Sequence, residues 1–194
     1  MLGIPLIHTE RLTIRPLAEG DFDALHEIHE RAFGDGSQYR KEEAMAASRK
    51  SLSWIELNEW SPRLRWWNTR LIVDTATQRA IGEIAYVPMP LPLDALIAGS
   101  EVDAALVPQT MELSMLWGLL PEWRRKGYAS EAAAAMIGFA FQQFNLRRIV
   151  ADTEHANITS QGVMRRVGMK LYQSRLAGID WLEIVGVLVN PGFA

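Results

Sequence analysis

The residues that most readily suggest chemistry lie in one run, Leu119-Leu120-Pro121-Glu122-Trp123-Arg124-Arg125-Lys126-Gly127-Tyr128-Ala129-Ser130-Glu131. An apolar run stops at a proline, three consecutive basic residues follow, and a glycine leads into small residues and helix formers. The first backbone N–H groups of a helix have no intrahelical partner, and the helix dipole favours negative charge beside them. Glycine lets an anion approach the main chain, so the segment reads as a cradle for phosphate. Each charge-assisted hydrogen bond is worth roughly 1.5–3 kcal/mol, so several together can hold a pyrophosphate. A bare basic run is more often a solvated helix start. The order strand, proline, basic, glycine, small residue narrows the reading. Tyr128 after Gly127 excludes a Walker loop, and the three-glycine spacing of a dinucleotide fingerprint is missing.

Other candidate groups carry less. His26 and His29 are three apart, whereas zincin histidines are four apart, so an exposed helix face is the better reading. His155 stands in a loop and offers a base, although most loop histidines are merely solvated. Trp54, Trp60, Trp66 and Trp67 suit an acceptor pocket or a homodimer interface, with core packing the blander and better use. Arg147-Arg148 and Arg165-Arg166 read as solvated pairs, Arg166 being the one placed to meet an adenosine phosphate.

The elements that must position these groups follow from periodicity and punctuation. Arg11 to Arg15 alternates and stops at Pro16, a first strand. Asp21 reads as the cap of a helix bearing Phe22, Leu25, Ile28 and His29, and after Gly34-Asp35-Gly36 a second helix is expected over Lys41–Trp60, closed by Pro62. Trp66–Asp74 and Ala80–Val87 read as strands joined by the polar turn Thr75–Arg79. Pro88–Pro108 holds four of the nine prolines and reads as an excursion with one short helix near Asp94–Ala98, so residues 88–110 form an insertion. Then come a strand over Glu112–Leu119, a helix over about 128–144, a strand over Arg148–Asp152 and a helix over Thr159–Val167. Two strands close the chain, near Met169–Leu176 and Trp181–Leu188. A helix between strand runs implies a crossover with parallel neighbours.

Composition bounds the function. The chain has 194 residues, 48% apolar and 22% charged, ordinary for one globular α/β domain spanning 1–194. A net charge of −3 disfavours a general nucleic-acid binder. Cysteine is absent, which removes disulfides, thiolate metal sites and a cysteine nucleophile. Ala132–Phe141 is too short to span a bilayer and Met1–Ile7 has no basic leader, so no membrane partner and a cytoplasmic location are expected.

Three segments together resemble a known family. Arg124-x-x-Gly127-x-Ala129, preceded by Pro121, is similar to the pyrophosphate loop of the GCN5-related N-acetyltransferase (GNAT) superfamily. Asn157-Ile-Thr-Ser160-Gln-Gly-Val163-Met-Arg-Arg166-Val-Gly168-Met169 resembles a segment of its ribosomal-protein N-acetyltransferase branch, and Thr9-Glu10-Arg11-Leu12-x-Ile14-Arg15-Pro16 resembles that branch's first strand. The resemblance covers about residues 9–188. It implies a GNAT fold, a mixed, mostly antiparallel sheet of about seven strands, splayed between the fourth and fifth and flanked by helices on both faces. Here these strands would be 112–119 and 148–152.

It further implies acetyl-CoA as cosubstrate, no metal, and an amine acceptor that is a protein N-terminus or a small molecule. Backbone groups near Leu119 would pair with the pantetheine arm, and amides of Arg124, Arg125, Lys126, Gly127, Tyr128 and Ala129 would take the pyrophosphate. Asn157 would meet the pantetheine or acetyl end, and Ser160 would sit near the sulfur as proton donor to the thiolate, its plainer role being helix capping. A strand amide near the splay would serve the oxyanion. Many members carry acidic residues on the fourth strand. Here Glu112 is the only carboxylate there and Ser114 stands where a glutamate is common. Glu112 is thus the candidate base, against a plain strand-end carboxylate, because a one-residue displacement on a strand reverses the face. Met169 replaces an expected phenylalanine and Arg166 an expected lysine. The net acidity and the insertion suit a cationic acceptor. The alternative is a non-catalytic acyl-CoA-binding or sensing module of the same fold.

Overall fold

The computed structural model describes residues 5–33, 69–89, 93–101, 112–176, 179 and 182–193. The expected second helix over Lys41–Trp60, the tryptophans at 54, 60, 66 and 67, and parts of the 88–110 insertion lie outside the described residues. The strands are β1 (Ile7–His8), β2 (Leu12–Pro16), β3 (Arg70–Asp74), β4 (Ala80–Met89), β5 (Glu112–Leu119), β6 (Arg148–Thr153), β7 (Lys170–Gln173) and β8 (Ile184–Val189). The helices are α1 (Phe22–Phe33), α2 (Leu93–Leu96), α3 (Tyr128–Phe144) and α4 (Ile158–Arg166). The sheet runs β1-β2-β3-β4-β5-β6-β8-β7.

Eight strands stand where about seven were expected, because the pair Ile7–His8 adds an edge to β2. The expected fourth and fifth strands are therefore β5 and β6. They pair in parallel at one register, Ser114 opposite Val150, whereas β6 and β8 pair antiparallel along six residues of each. So brief a parallel pairing is what a splay between these strands requires. The short helix comes a residue earlier than expected, and β8 begins at Ile184.

The chain divides into two compact units. In the first, residues 1–86 and 117–132, α1 turns Leu25 and Ile28 onto Leu71, Val73 and Leu120. With Phe22 this is the three-residue helical spacing read from sequence. β3 is buried throughout and β4 from Ile81 to Tyr86, as expected of strands covered on both faces. A Cβ at Gly82 of β4 would fall 2.2 Å from the Gly118 carbonyl oxygen of β5, so bare backbone permits that approach. Asp21 does not cap α1 with its side chain as expected. Its carboxylate accepts from the Ala18 N–H at 2.7 Å and from Arg15 at 2.6 and 2.7 Å, because a 3-10 turn over Glu19–Asp21 precedes the helix. In the second unit, residues 87–116 and 133–194, Leu93, Leu96, Ile97, Val150, Leu182, Val185 and Val187 form a core.

Candidate active site

In the first unit the basic turn forms where the sequence places it. Pro121–Trp123 is a 3-10 turn, and its proline ends β5. Arg125 (φ +62°) and Gly127 (φ +87°) both adopt the left-handed conformation. Alternating handedness of this kind gathers successive N–H groups into an anion-binding nest. Only glycine takes that backbone cheaply, and a Cβ at Gly127 would also lie 3.3 Å from the Arg11 guanidinium.

The loop's charges are not equivalent. Arg124 turns inward. Its Nε donates to the Leu119 carbonyl at 2.9 Å and its Nη2 to the carbonyls of Ala32 (2.8 Å) and Arg31 (3.1 Å) at the end of α1. Its own amide donates to Pro121. Arg124 is therefore spent on the fold, and with it the Leu119 carbonyl. Among the described residues the amides available to an anion begin at Arg125. Arg125 and Lys126 are exposed, with the Lys126 ammonium over the Trp123 ring. The Ser130 hydroxyl, in the first turn of α3, is buried with no partner among the described residues. A cradle of free amides beside an orphaned hydroxyl fits the diphosphate expected from sequence.

The turn is braced by residues that sequence reasoning did not single out for this role. Glu131 Oε1 accepts from the Thr9 hydroxyl (2.5 Å) and the Arg11 N–H (3.0 Å), and Oε2 from Arg11 Nε (2.7 Å). Arg11 Nη1 also donates to the Lys126 carbonyl at 3.0 Å, and its guanidinium lies 4.3 Å from the Tyr128 ring centre. Burial pushes the Glu131 carboxyl up, but the hydrogen bonds from Thr9 and Arg11 outweigh it and hold the group below its ordinary value. The signal was present in Thr9-Glu10-Arg11 and Glu131, but nothing in sequence pairs positions so far apart.

In the second unit Glu112 is 5% exposed and fully engaged. Arg148 grips it through Nε at 2.9 Å and through Nη2, while the Leu93 N–H donates to Oε1 at 3.1 Å. Both oxygens thus tie the start of β5 to β6 and to the first turn of α2. Arg148, read as solvated, is instead half of this pair. Arg165 and Arg166 are exposed as expected.

Two residues along β5 the Ser114 hydroxyl donates to Asp152 Oδ2 of β6 at 2.9 Å. Burial raises the Asp152 carboxyl above its ordinary value, and the Ser114 hydrogen bond only partly offsets this. Asp152 escaped the sequence reading because a lone acid in an apolar strand carries no motif.

Asn157 and Ser160 open α4. Asn157 Oδ1 accepts from the Ser160 N–H at 3.0 Å, so the cap is Asn157. The Ser160 hydroxyl makes no hydrogen bond among the described residues. His155 is held rather than free: its N–H donates to Glu183 (2.7 Å), its carbonyl accepts from Gln161 (2.9 Å), and Gln173 Nε2 lies 2.8 Å from its Nε2. His26 and His29 reach different partners, Glu30 and Glu83. Among the described residues no three His, Asp or Glu side chains gather to hold a metal. No helix among them is long and apolar enough to cross a membrane.

Comparison with known proteins identifies the family and the fold. The family described as "Acetyltransferase (GNAT) domain" matches residues 11–170. The N-acetyltransferase YnaD of Bacillus subtilis (strain 168), itself uncharacterized, is 44% identical over 54 residues. That match spans 28% of this chain and 32% of YnaD, about a third of the relative's length. Among solved structures, an acetyltransferase from Agrobacterium tumefaciens str. C58 is 27% identical with a TM-score of 0.66, covering 96% of this chain and 95% of that one. RimL, a ribosomal alpha-N-protein acetyltransferase in complex with coenzyme A, shares the fold at 16% identity and a TM-score of 0.65, covering 95% of this chain and 98% of its own. The chain belongs to the GNAT acetyltransferase family.

Proposed function

We propose, from the chain's place in that family, that it is a single-domain N-acetyltransferase using acetyl-CoA and a primary amine, either a protein N-terminus or a small molecule. The observation that carries the reading is the open nest from Arg125 to Ala129, with Gly127 at positive φ and the Ser130 hydroxyl beside it unpartnered among the described residues. When bound, acetyl-CoA supplies a thioester carbonyl open to attack by an amine. The amides of Arg125, Lys126, Gly127, Tyr128 and Ala129 hold its diphosphate, with Arg11 and Glu131 fixing the loop's shape. Asn157 would meet the pantetheine arm through the amide nitrogen that its capping bond leaves over. The Ser160 hydroxyl, not spent on capping, keeps its proton for the departing thiolate. Direct transfer needs no covalent enzyme intermediate, which suits a chain without cysteine.

One observation favours the second reading, a non-catalytic acyl-CoA-binding module: the carboxylate first marked as base, Glu112, is occupied by Arg148 and Leu93. Calorimetry with coenzyme A followed by thiol release against a panel of amines separates the two. Binding with amine-dependent thiol release supports the enzyme, and binding without it supports the module. A folded wild type giving no heat at millimolar coenzyme A overturns both.

A further inference from the structure

A carboxylate taken out of water is costly unless a cation or several donors meet it. Most of the acids drawn into this fold are met in that way. Arg148 holds Glu112, His29 meets Glu83 at 2.9 Å, Arg11 holds Glu131 and Arg15 holds Asp21. Asp74 accepts the N–H and hydroxyl of Thr77 in its own turn. Asp152 differs: it is half-buried, and among the described residues its one hydrogen-bond partner is the neutral hydroxyl of Ser114.

Its place matters as much as its pairing. Ser114 and Val150 are the one register pair of the sheet's parallel strands, and Asp152 lies two residues further along β6, on the same face as Val150. It therefore stands where the pairing of β5 and β6 stops. Among the described residues its neighbours bring it no cation. β5 offers Ser114 and, continuing its parallel register, the apolar Leu116, with Glu112 lying the other way and held by Arg148, and β8 places the apolar Val185 in register with it. Ala151 and Thr153 flank it on β6. One oxygen is steadied by a hydroxyl donor, and Oδ1 has no partner among the described residues. An asparagine would fill the same space without the desolvation cost, and such unrelieved acids collect at functional sites.

We propose that Asp152 is the group that binds the acceptor's ammonium and takes its proton, an inference that rests on the transferase reading above. The step balances as one proton moving from R–NH3+ to Asp152, leaving a neutral amine with a free electron pair and a carboxylic acid, which later returns the proton to water. Ser114 is the positioning residue, orienting the carboxylate without neutralising it.

The test uses the full chain, an alkyl amine that the wild type acetylates, and its alkoxyamine congener, which is neutral at pH 7. Asp152→Asn should lower kcat/KM for the alkyl amine by about a hundredfold or more at pH 7 and remove the acidic limb of its pH profile. The loss for the alkoxyamine should stay within roughly fivefold, because no proton need be taken from it before attack. Calorimetric affinity for coenzyme A should be unchanged, and Asp152→Glu should restore the acidic limb. Independently of turnover, carbon-13 NMR of the free protein should show the Asp152 carboxyl titrating above ordinary aspartate, and higher still in Ser114→Ala. Equal losses on both amines, or a carboxyl that titrates normally, would overturn the inference and leave the transferase intact. A wild type that binds coenzyme A and acetylates no amine overturns the transferase reading, and this inference falls with it.

Discussion

Two helices of this chain follow a strand and a loop, and they finish their first turns in opposite ways. α4 closes its own start, since Asn157 lays a side-chain oxygen on the Ser160 N–H. α3 begins after Gly127, which has no side chain to offer, and its first-turn acid, Glu131, reaches away to Thr9 and Arg11. The main-chain donors of α3 therefore stay available, while α4 satisfies one of its own. Both segments suggested cofactor contacts, yet only one is built to receive an anion on its backbone. What the sequence motif leaves unsaid is whether a cap fills the place first.

The sharpest way to break this contrast is Gly127→Asp. It puts a strained backbone, added bulk and a negative charge where the nest must face a phosphate. Affinity for coenzyme A by calorimetry should fall by about a hundredfold or more. Next comes Ser160→Ala, which removes the uncommitted hydroxyl from the closed helix start. Turnover should slow by about tenfold with coenzyme A affinity nearly intact, and an unchanged kcat would return Ser160 to a plain first-turn residue.

Glu131→Gln should have a smaller effect, because it keeps the shape of the brace and loses its charge. Coenzyme A affinity should weaken by roughly fivefold. The pH dependence should change as well. A carboxyl held below its ordinary value adds stability that is present above the unfolded pKa and lost as pH falls through the folded one. The acid limb of thermal stability should therefore be shallower in the variant. The smallest effect belongs to Asn157→Ala, which opens the start of α4 at a cost of about 1 kcal/mol in unfolding experiments and, by removing the amide nitrogen proposed to meet pantetheine, weakens coenzyme A affinity by roughly threefold.

Local signals were the legible ones. Proline and glycine punctuation placed the turn before α3, and three-residue spacing placed Leu25 and Ile28 of α1 in the core. Alternation found the β2 strand, but two residues such as Ile7 and His8 are too few to announce an edge. What sequence leaves illegible at the site are long-range pairings. Glu112 looked like a base because its partner, Arg148, is 36 positions away and looked solvated. Asp152 looked like nothing because its meaning depends on Ser114 and on the lack of a cation beside it among the described residues. Arg124 matched the motif by position, although its guanidinium reaches main-chain carbonyls of Leu119 and of the end of α1.

That last side chain has a consequence for how the grip would respond to electrolyte. Three successive cations suggest a contact that dissolved salt screens away. With the first clamped to main-chain carbonyls, only Arg125 and Lys126 offer mobile charge. The rest of the attraction would come from peptide dipoles fixed within a turn, which surrounding ions weaken far less than they weaken exposed side chains.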